Sequence, residues 1–156
     1  MAMSYKIGLD YHGVINTNSD FFREFCDLLR KQKAEIHIIS GGPRETIGEF
    51  LKLHQIKYDK IWCIYDYFNA REEVKILPDG SFHVDDYKWN AAKGEYCSKQ
   101  GISLQIDDSQ IYGKYFKTPY CLYDEQNCSG NLSGYFIDFS TSAENCWQQI
   151  LSALSH

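Results

Sequence analysis

Short apolar runs alternate with amphipathic stretches almost from end to end of the chain, the pattern of strand-helix-strand units on a mostly parallel sheet. The first run, Tyr5-Lys6-Ile7-Gly8-Leu9, stops at Asp10. Behind it the polar segment Asn16-Thr17-Asn18-Ser19 supplies a helix cap, and Phe21, Phe22, Phe25, Leu28 and Leu29 then recur on one helical face. The unit repeats. Glu35-Ile36-His37-Ile38-Ile39 reads as a second strand closing at Ser40-Gly41-Gly42, and Pro43 opens as first helical residue a stretch with Ile47, Phe50, Leu51 and His54 on one side. Ile61-Trp62-Cys63-Ile64-Tyr65 reads as a third buried strand.

Between residues 66 and 86 the rhythm breaks. Strand-like pieces at 73–77 and 82–85 flank Pro78-Asp79-Gly80-Ser81, a strong turn signal, so the segment reads as a hairpin excursion. Residues 89–100 return to helix, 102–106 form a strand ending at Asp107-Asp108, and 119–123 form another. The Gly/Ser/Asn-rich stretch 127–134 predicts a loop, and 135–139 a last strand. Thr141-Ser142-Ala143-Glu144 then reads as a capping box before a helix with Trp147, Ile150, Leu151 and Leu154 on one stripe. The expected fold is a Rossmann-like three-layer α/β/α sandwich around a mostly parallel sheet, as one domain over 1–156.

Composition narrows the function classes. At 156 residues and 44% hydrophobic content, the chain can bury one core, which excludes a disordered tail, a collagen-like rod or a coiled coil. Lys and Arg number 16 against 21 for Asp and Glu, a net charge of -5, so no bulk attraction to nucleic acid or to an anionic membrane is expected. No apolar run approaches the roughly 20 residues of a membrane span, and the polar start of the chain does not have the form of a signal peptide. A cytoplasmic protein is expected; Met1-Ala2 ahead of Met3 has the look of a cloning scar. The six cysteines, Cys26, Cys63, Cys97, Cys121, Cys128 and Cys146, contain no C-x-x-C pair and read as reduced thiols, most of them in apolar patterns.

In a parallel sheet all strand ends gather on one edge, where such folds bind ligands. That edge collects Asp10, Ser40, Asp107 and Asp108. Trp89, Ala92, Lys93, Tyr96 and Cys97 follow helical spacing and place Lys93 on an inward stripe, where an ammonium needs a carboxylate or a bound anion. Clustered carboxylates in turn repel unless a hard cation joins them, and oxygen-only ligation suits Mg²⁺. Carboxylates, Mg²⁺, a lysine and a hydroxyl together make a phosphate site.

These elements resemble the four sequence motifs of the haloacid dehalogenase (HAD) superfamily. Lys6-Ile7-Gly8-Leu9-Asp10-Tyr11-His12-Gly13-Val14 is similar to the first motif, a strand followed by D-x-D-G-T/V, and Ile36 to Ser40 to the second. Lys93 is similar to the third-motif lysine, and Leu104-Gln105-Ile106-Asp107-Asp108 to the hhhhDD form of the fourth. The resemblance runs from about residue 5 to 125 in the family's order. It implies a Mg²⁺-dependent phosphohydrolase, of phosphatase or nucleotidase type, with Asp10 as nucleophile and metal ligand. Ser40 would hydrogen-bond the phosphoryl group, aided by the amides of Gly41 and Gly42, and Lys93 would neutralise its charge. Asp107 and Asp108 would complete the metal site, with Asp108 as direct ligand and the main-chain carbonyl of His12 as another. Arg44, just after Ser40, is a further candidate for substrate contact.

The chain departs from the family at His12, where most of its phosphatases carry the aspartate that acts as general acid and base. An imidazole, with an ordinary pKa of about 6.5, suits both steps, but family members without the aspartate include non-phosphatases. The alternative is therefore a weak or inactive relative that binds a phosphorylated ligand or a protein partner. A third reading is a receiver-like phospho-accepting domain. With only a minimal cap at 66–86 the active edge is expected to be open, suiting a small phosphate ester, a nucleotide or a phosphorylated macromolecule, or closure by a second copy in a homo-oligomer.

Overall fold

The computed structural model describes residues 4–156; the Met1-Ala2-Met3 start lies outside them. Strand β1 (Lys6–Leu9) leads through a 3-10 turn to helix α1 (Ser19–Lys31). Asn18 caps α1 by accepting from the Phe21 N–H, and Asp20 in its first turn and Arg30 and Lys31 in its last complement the helix dipole. Strand β2 (Glu35–Ser40) follows, then α2 (Arg44–Leu53), which starts one residue later than expected because Pro43 is extended at the N-cap. Strand β3 (Lys60–Cys63) is cut short: Ile64 begins helix α3 (Ile64–Ala70) instead of continuing the strand. The four-residue spacing of Ile64 and Phe68, both buried, shows why a short apolar run alone did not distinguish strand from helix here.

The excursion is a hairpin, with β4 (Lys75–Ile76) and β5 (Phe82–His83) forming an antiparallel sheet of their own, shorter than the expected pieces. Helix α4 (Asp86–Gln100) begins three residues early because Asp85 caps it, accepting from the Lys88 N–H. After β6 (Leu104–Asp107) comes a short helix the sequence pattern did not indicate, α5 (Gln110–Gly113), capped by Ser109. Next are β7 (Tyr120–Asp124), β8 (Ser129–Leu132), β9 (Tyr135–Asp138) and α6 (Ala143–Leu154). The stretch expected as a loop thus contains β8. Its glycine has a packing cause: a Cβ at Gly130 would lie 2.5 Å from Cys121 Sγ. The cap of α6 is Ser142, accepting from the Asn145 N–H, one residue beyond the expected Thr141.

The main sheet runs β3-β2-β1-β6-β7-β8-β9, with the first five strands parallel and β8 and β9 added antiparallel. Period-two alternation sorts its faces. Ile7, Leu9, Ile36, Ile38, Leu104 and Ile106 enter one large core with the buried faces of α1, α2 and α6. Ile39 turns the other way, toward Cys97 of α4, and Ile64, Phe68, Val84 and Ala92 join α3, the hairpin and α4 in a second cluster. The chain is thus mixed α/β, with a seven-stranded, mostly parallel sheet and six helices. Among the described residues no helix is long and apolar enough to cross a membrane.

Candidate active site

Because β2, β1 and β6 are adjacent and parallel, Ser40, Asp10 and Asp107 sit side by side at their C-terminal ends. Asp107 is two residues from Gln105 on β6, so both point to the face covered by α4 and away from Ile106. There Lys93 meets them. Its Nζ lies 2.7 Å from Asp107 Oδ2 and 3.1 Å from Asp10 Oδ1, and the Lys93, Asp10 and Asp107 side chains are all buried. Asp107 is held on both oxygens, Gln105 Nε2 donating to Oδ2 and the Ser109 N–H to Oδ1. Asp10 Oδ1 accepts from the Tyr11 N–H at 2.8 Å; its Oδ2 takes no hydrogen bond among the described residues.

One ammonium faces three carboxylates, since Asp10, Asp107 and Asp108 bring ligand oxygens within 4.8 Å of one another. Burial, reinforced by Asp107 and Asp108 and opposed by Lys93, pushes the Asp10 carboxyl up to about 8. For Lys93, burial acts to lower the value, but Asp10 and Asp107 outweigh it and hold the ammonium above its ordinary range. Oxygen-only donors with surplus negative charge are the kind of set a hard divalent cation takes. Asp10, Asp107 and Asp108 are therefore the residues that could hold one. Asp108 is the exposed arm of this set, and it packs against Gly13: at φ +82°, a Cβ there would lie 2.0 Å from Asp108 Oδ2.

Ser40 is fully buried, and its Oγ has no hydrogen-bond partner among the described residues. An unpaired buried hydroxyl costs free energy, so its presence next to Asp10 points to an acceptor or donor supplied from outside the chain. Gly41 and Gly42 form the turn beyond it, and Gly42 has φ +101° with Asp66 Oδ2 crowding its missing Cβ at 3.0 Å. Arg44 is exposed; only its N–H is fixed, donating to Asp66 Oδ2. Its side chain makes no hydrogen bond or ion pair with the carboxylates. His12 is exposed, makes no side-chain hydrogen bond among the described residues, and packs edge-on to Tyr11 at 4.7 Å. Its main-chain carbonyl accepts no backbone hydrogen bond there either.

Sequence reasoning missed two contributors. Gln105, which orients Asp107, was signalled by being a lone amide in an apolar strand, one period from the aspartate. Tyr112 places its ring 4.8 Å from Lys93 Nζ and accepts a hydrogen bond from Trp89 Nε1. It stands on the unforeseen α5, and no spacing rule links it to Lys93. Lys88, the other lysine in the first half of α4, is exposed and paired with Glu73. Compared with known proteins, the chain matches no family model, no curated protein and no solved structure.

Proposed function

We propose that this chain is a phosphohydrolase of the HAD type, using Mg²⁺ and acting through an aspartyl-phosphate on Asp10. The observation that carries this reading is the buried bridge of Lys93 between Asp10 and Asp107, beside an unpartnered Ser40 hydroxyl on the neighbouring strand end. A core charge cluster of this kind contributes little stability for its desolvation cost, and its surplus negative charge calls for a cation, beside which Lys93 and Ser40 would meet a phosphoryl group. The three carboxylates suit Mg²⁺, which when bound would neutralise charge on the phosphoryl oxygens.

Asp10 Oδ1 is engaged by Lys93 and the Tyr11 N–H, leaving Oδ2, in the ionised form that a bound cation would favour, to attack phosphorus. The phosphorus–oxygen ester bond breaks as the new bond forms, and the leaving oxygen takes up a proton. Water then attacks phosphorus, releasing phosphate and restoring the Asp10 carboxylate. Lys93 offsets the charge of the phosphoryl group and Ser40 Oγ donates to it. His12 is the candidate for proton transfer at both steps. With only the short hairpin as a cap, this reading favours a phosphate on a nucleotide or a macromolecule, or closure by a second copy.

One observation favours a second reading. General acid-base catalysis needs a positioned group, and the His12 imidazole is exposed and unanchored. This supports a weak or inactive relative that binds a phosphorylated ligand or partner. A receiver-like domain is less well supported, because β3 lies beyond β2 at the sheet edge, whereas receiver sheets place the third strand on the other side of the first. The deciding experiment is hydrolysis of p-nitrophenyl phosphate and a nucleotide panel with and without Mg²⁺, by the wild type, Asp10→Asn and His12→Asp. Turnover that needs both Mg²⁺ and Asp10 supports the phosphohydrolase. An inert wild type that gains activity on His12→Asp selects the binding protein.

A further inference from the structure

A cavity of about 660 Å³ lies apart from the carboxylates, between α3 and the outer face of α4. None of Asp10, Ser40, Lys93, Asp107 and Asp108 lines it. Its volume is within the range of small-ligand sites, roughly 300–1,000 Å³. One wall is aromatic: Trp62 stacks on Tyr96 at 4.7 Å and 20°, and Tyr67 stands 5.5 Å from Trp62.

That wall is fixed from behind. The Tyr96 hydroxyl is 2.8 Å from Nδ1 of His37, a fully buried residue on β2, and His37 Nε2 is hydrogen-bonded to Glu35. This chain of hydrogen bonds, buried at His37 and reaching the surface at Glu35, restrains the Tyr96 ring. The rim carries Lys88, already paired with Glu73, and a single lone acid, Glu95. Arg71 and Lys99 form no ion pair among the described residues, although the protein as a whole is acidic. Arg71 lies over the Tyr67 ring at 4.2 Å, its guanidinium held at the cavity. With Lys88 paired to Glu73 and Glu95 set against Arg71 and Lys99, the lining keeps one net positive charge, and an aromatic platform beside it is complementary to a planar aromatic anion.

We propose that this cavity binds a nucleoside monophosphate, its base against the Trp62 and Tyr96 platform and its phosphate on Arg71 and Lys99. The site is separate from the proposed hydrolytic edge and does not depend on it. Calorimetric titration with AMP tests it, using the wild type, Asp10→Asn and the double variant Arg71→Glu/Lys99→Glu, whose exposed positions spare the core. The expected result is saturable AMP binding that persists in Asp10→Asn, weakens roughly tenfold or more in the double variant, and is tighter than adenosine. No saturable binding at millimolar AMP overturns the proposal. So does binding that is lost in Asp10→Asn and kept in the double variant, which would put AMP at the carboxylate edge. A wild-type dimer that the double variant dissociates in sedimentation also overturns it, because the cavity would then be an interface between copies. Binding is the readout throughout, so an absence of hydrolysis would leave the result intact.

Discussion

Lys93 Nζ stands 2.7 Å from Asp107 Oδ2, with the two side chains 1% and 0% exposed. The support on the two sides is unequal. Asp107 is also gripped by Gln105 and by the Ser109 N–H, so it serves as the anchor from which Lys93 reaches across to Asp10. The strand order makes this reach short, because β6 and β1 are neighbours.

Replacing Lys93 with methionine fills its space but leaves Asp107, and above about pH 8 Asp10 as well, buried without a counter-charge. Removing one partner of a buried pair costs about 3–5 kcal/mol, and a loss of that order is expected in urea unfolding at neutral pH. The loss should shrink in acid, where a carboxylate can take up a proton instead. Hydrolysis should disappear with the lysine. A variant as stable as the wild type would mean that the cluster is not held together by charge.

The raised Asp10 value fixes the sign of a pH effect. Its unfolded carboxyl has an ordinary value of 3.8, and burial first, then Asp107 and Asp108, push the folded one up to about 8. The folded state therefore binds a proton that the unfolded chain releases, and this contribution to stability is present in full at low pH and lost as pH rises through about 8. In EDTA, the melting temperature of the wild type should fall relative to Asp10→Asn between about pH 4 and about pH 8 and level off above. Mg²⁺ should restore the wild type most at the alkaline end, where it does not compete with protons. A difference between the two proteins that stays flat with pH would contradict the assignment.

Asp10, Ser40 and Asp107 were legible because each closes an apolar strand, and Lys93 because a 3.6-residue stripe put it on the inner face of α4. What remained hidden depends on tertiary contact. Ile64 and Phe68 belong to a helix only because the hairpin and α4 supply a second core for them. Strand β8 looked like a loop because Gly130 answers to the nearby Cys121 sulfur, not to a turn. The bond between His37 and Tyr96 spans 59 positions, and no local pattern encodes it.

Ser40 offers a test that separates structure from function. Its Oγ is buried without a partner among the described residues, so Ser40→Ala removes an unsatisfied polar atom and should leave stability unchanged or raise it by up to about 1 kcal/mol. If the hydroxyl serves a phosphoryl group, inorganic phosphate affinity and turnover should nevertheless drop roughly tenfold. Thermal melts and phosphate titrations on one preparation read both. A variant that is destabilised yet binds phosphate normally would make Ser40 a packing residue.

Gly13 tests the exposed arm of the carboxylate set. At φ +82° an alanine is strained, and its Cβ would fall 2.0 Å from Asp108 Oδ2, so the aspartate must swing away. The left-handed backbone alone should cost about 1–3 kcal/mol. Asp108→Asn keeps the backbone and the shape but removes the charge, and being exposed it should scarcely alter stability. If Asp108 is a metal ligand, both variants should need more Mg²⁺ to reach half-maximal thermal stabilisation, although only Gly13→Ala melts earlier in EDTA. Mg²⁺ dependence like that of the wild type in Asp108→Asn would remove Asp108 from the set and leave Asp10 and Asp107 as the two carboxylates holding the cation, with water completing its shell.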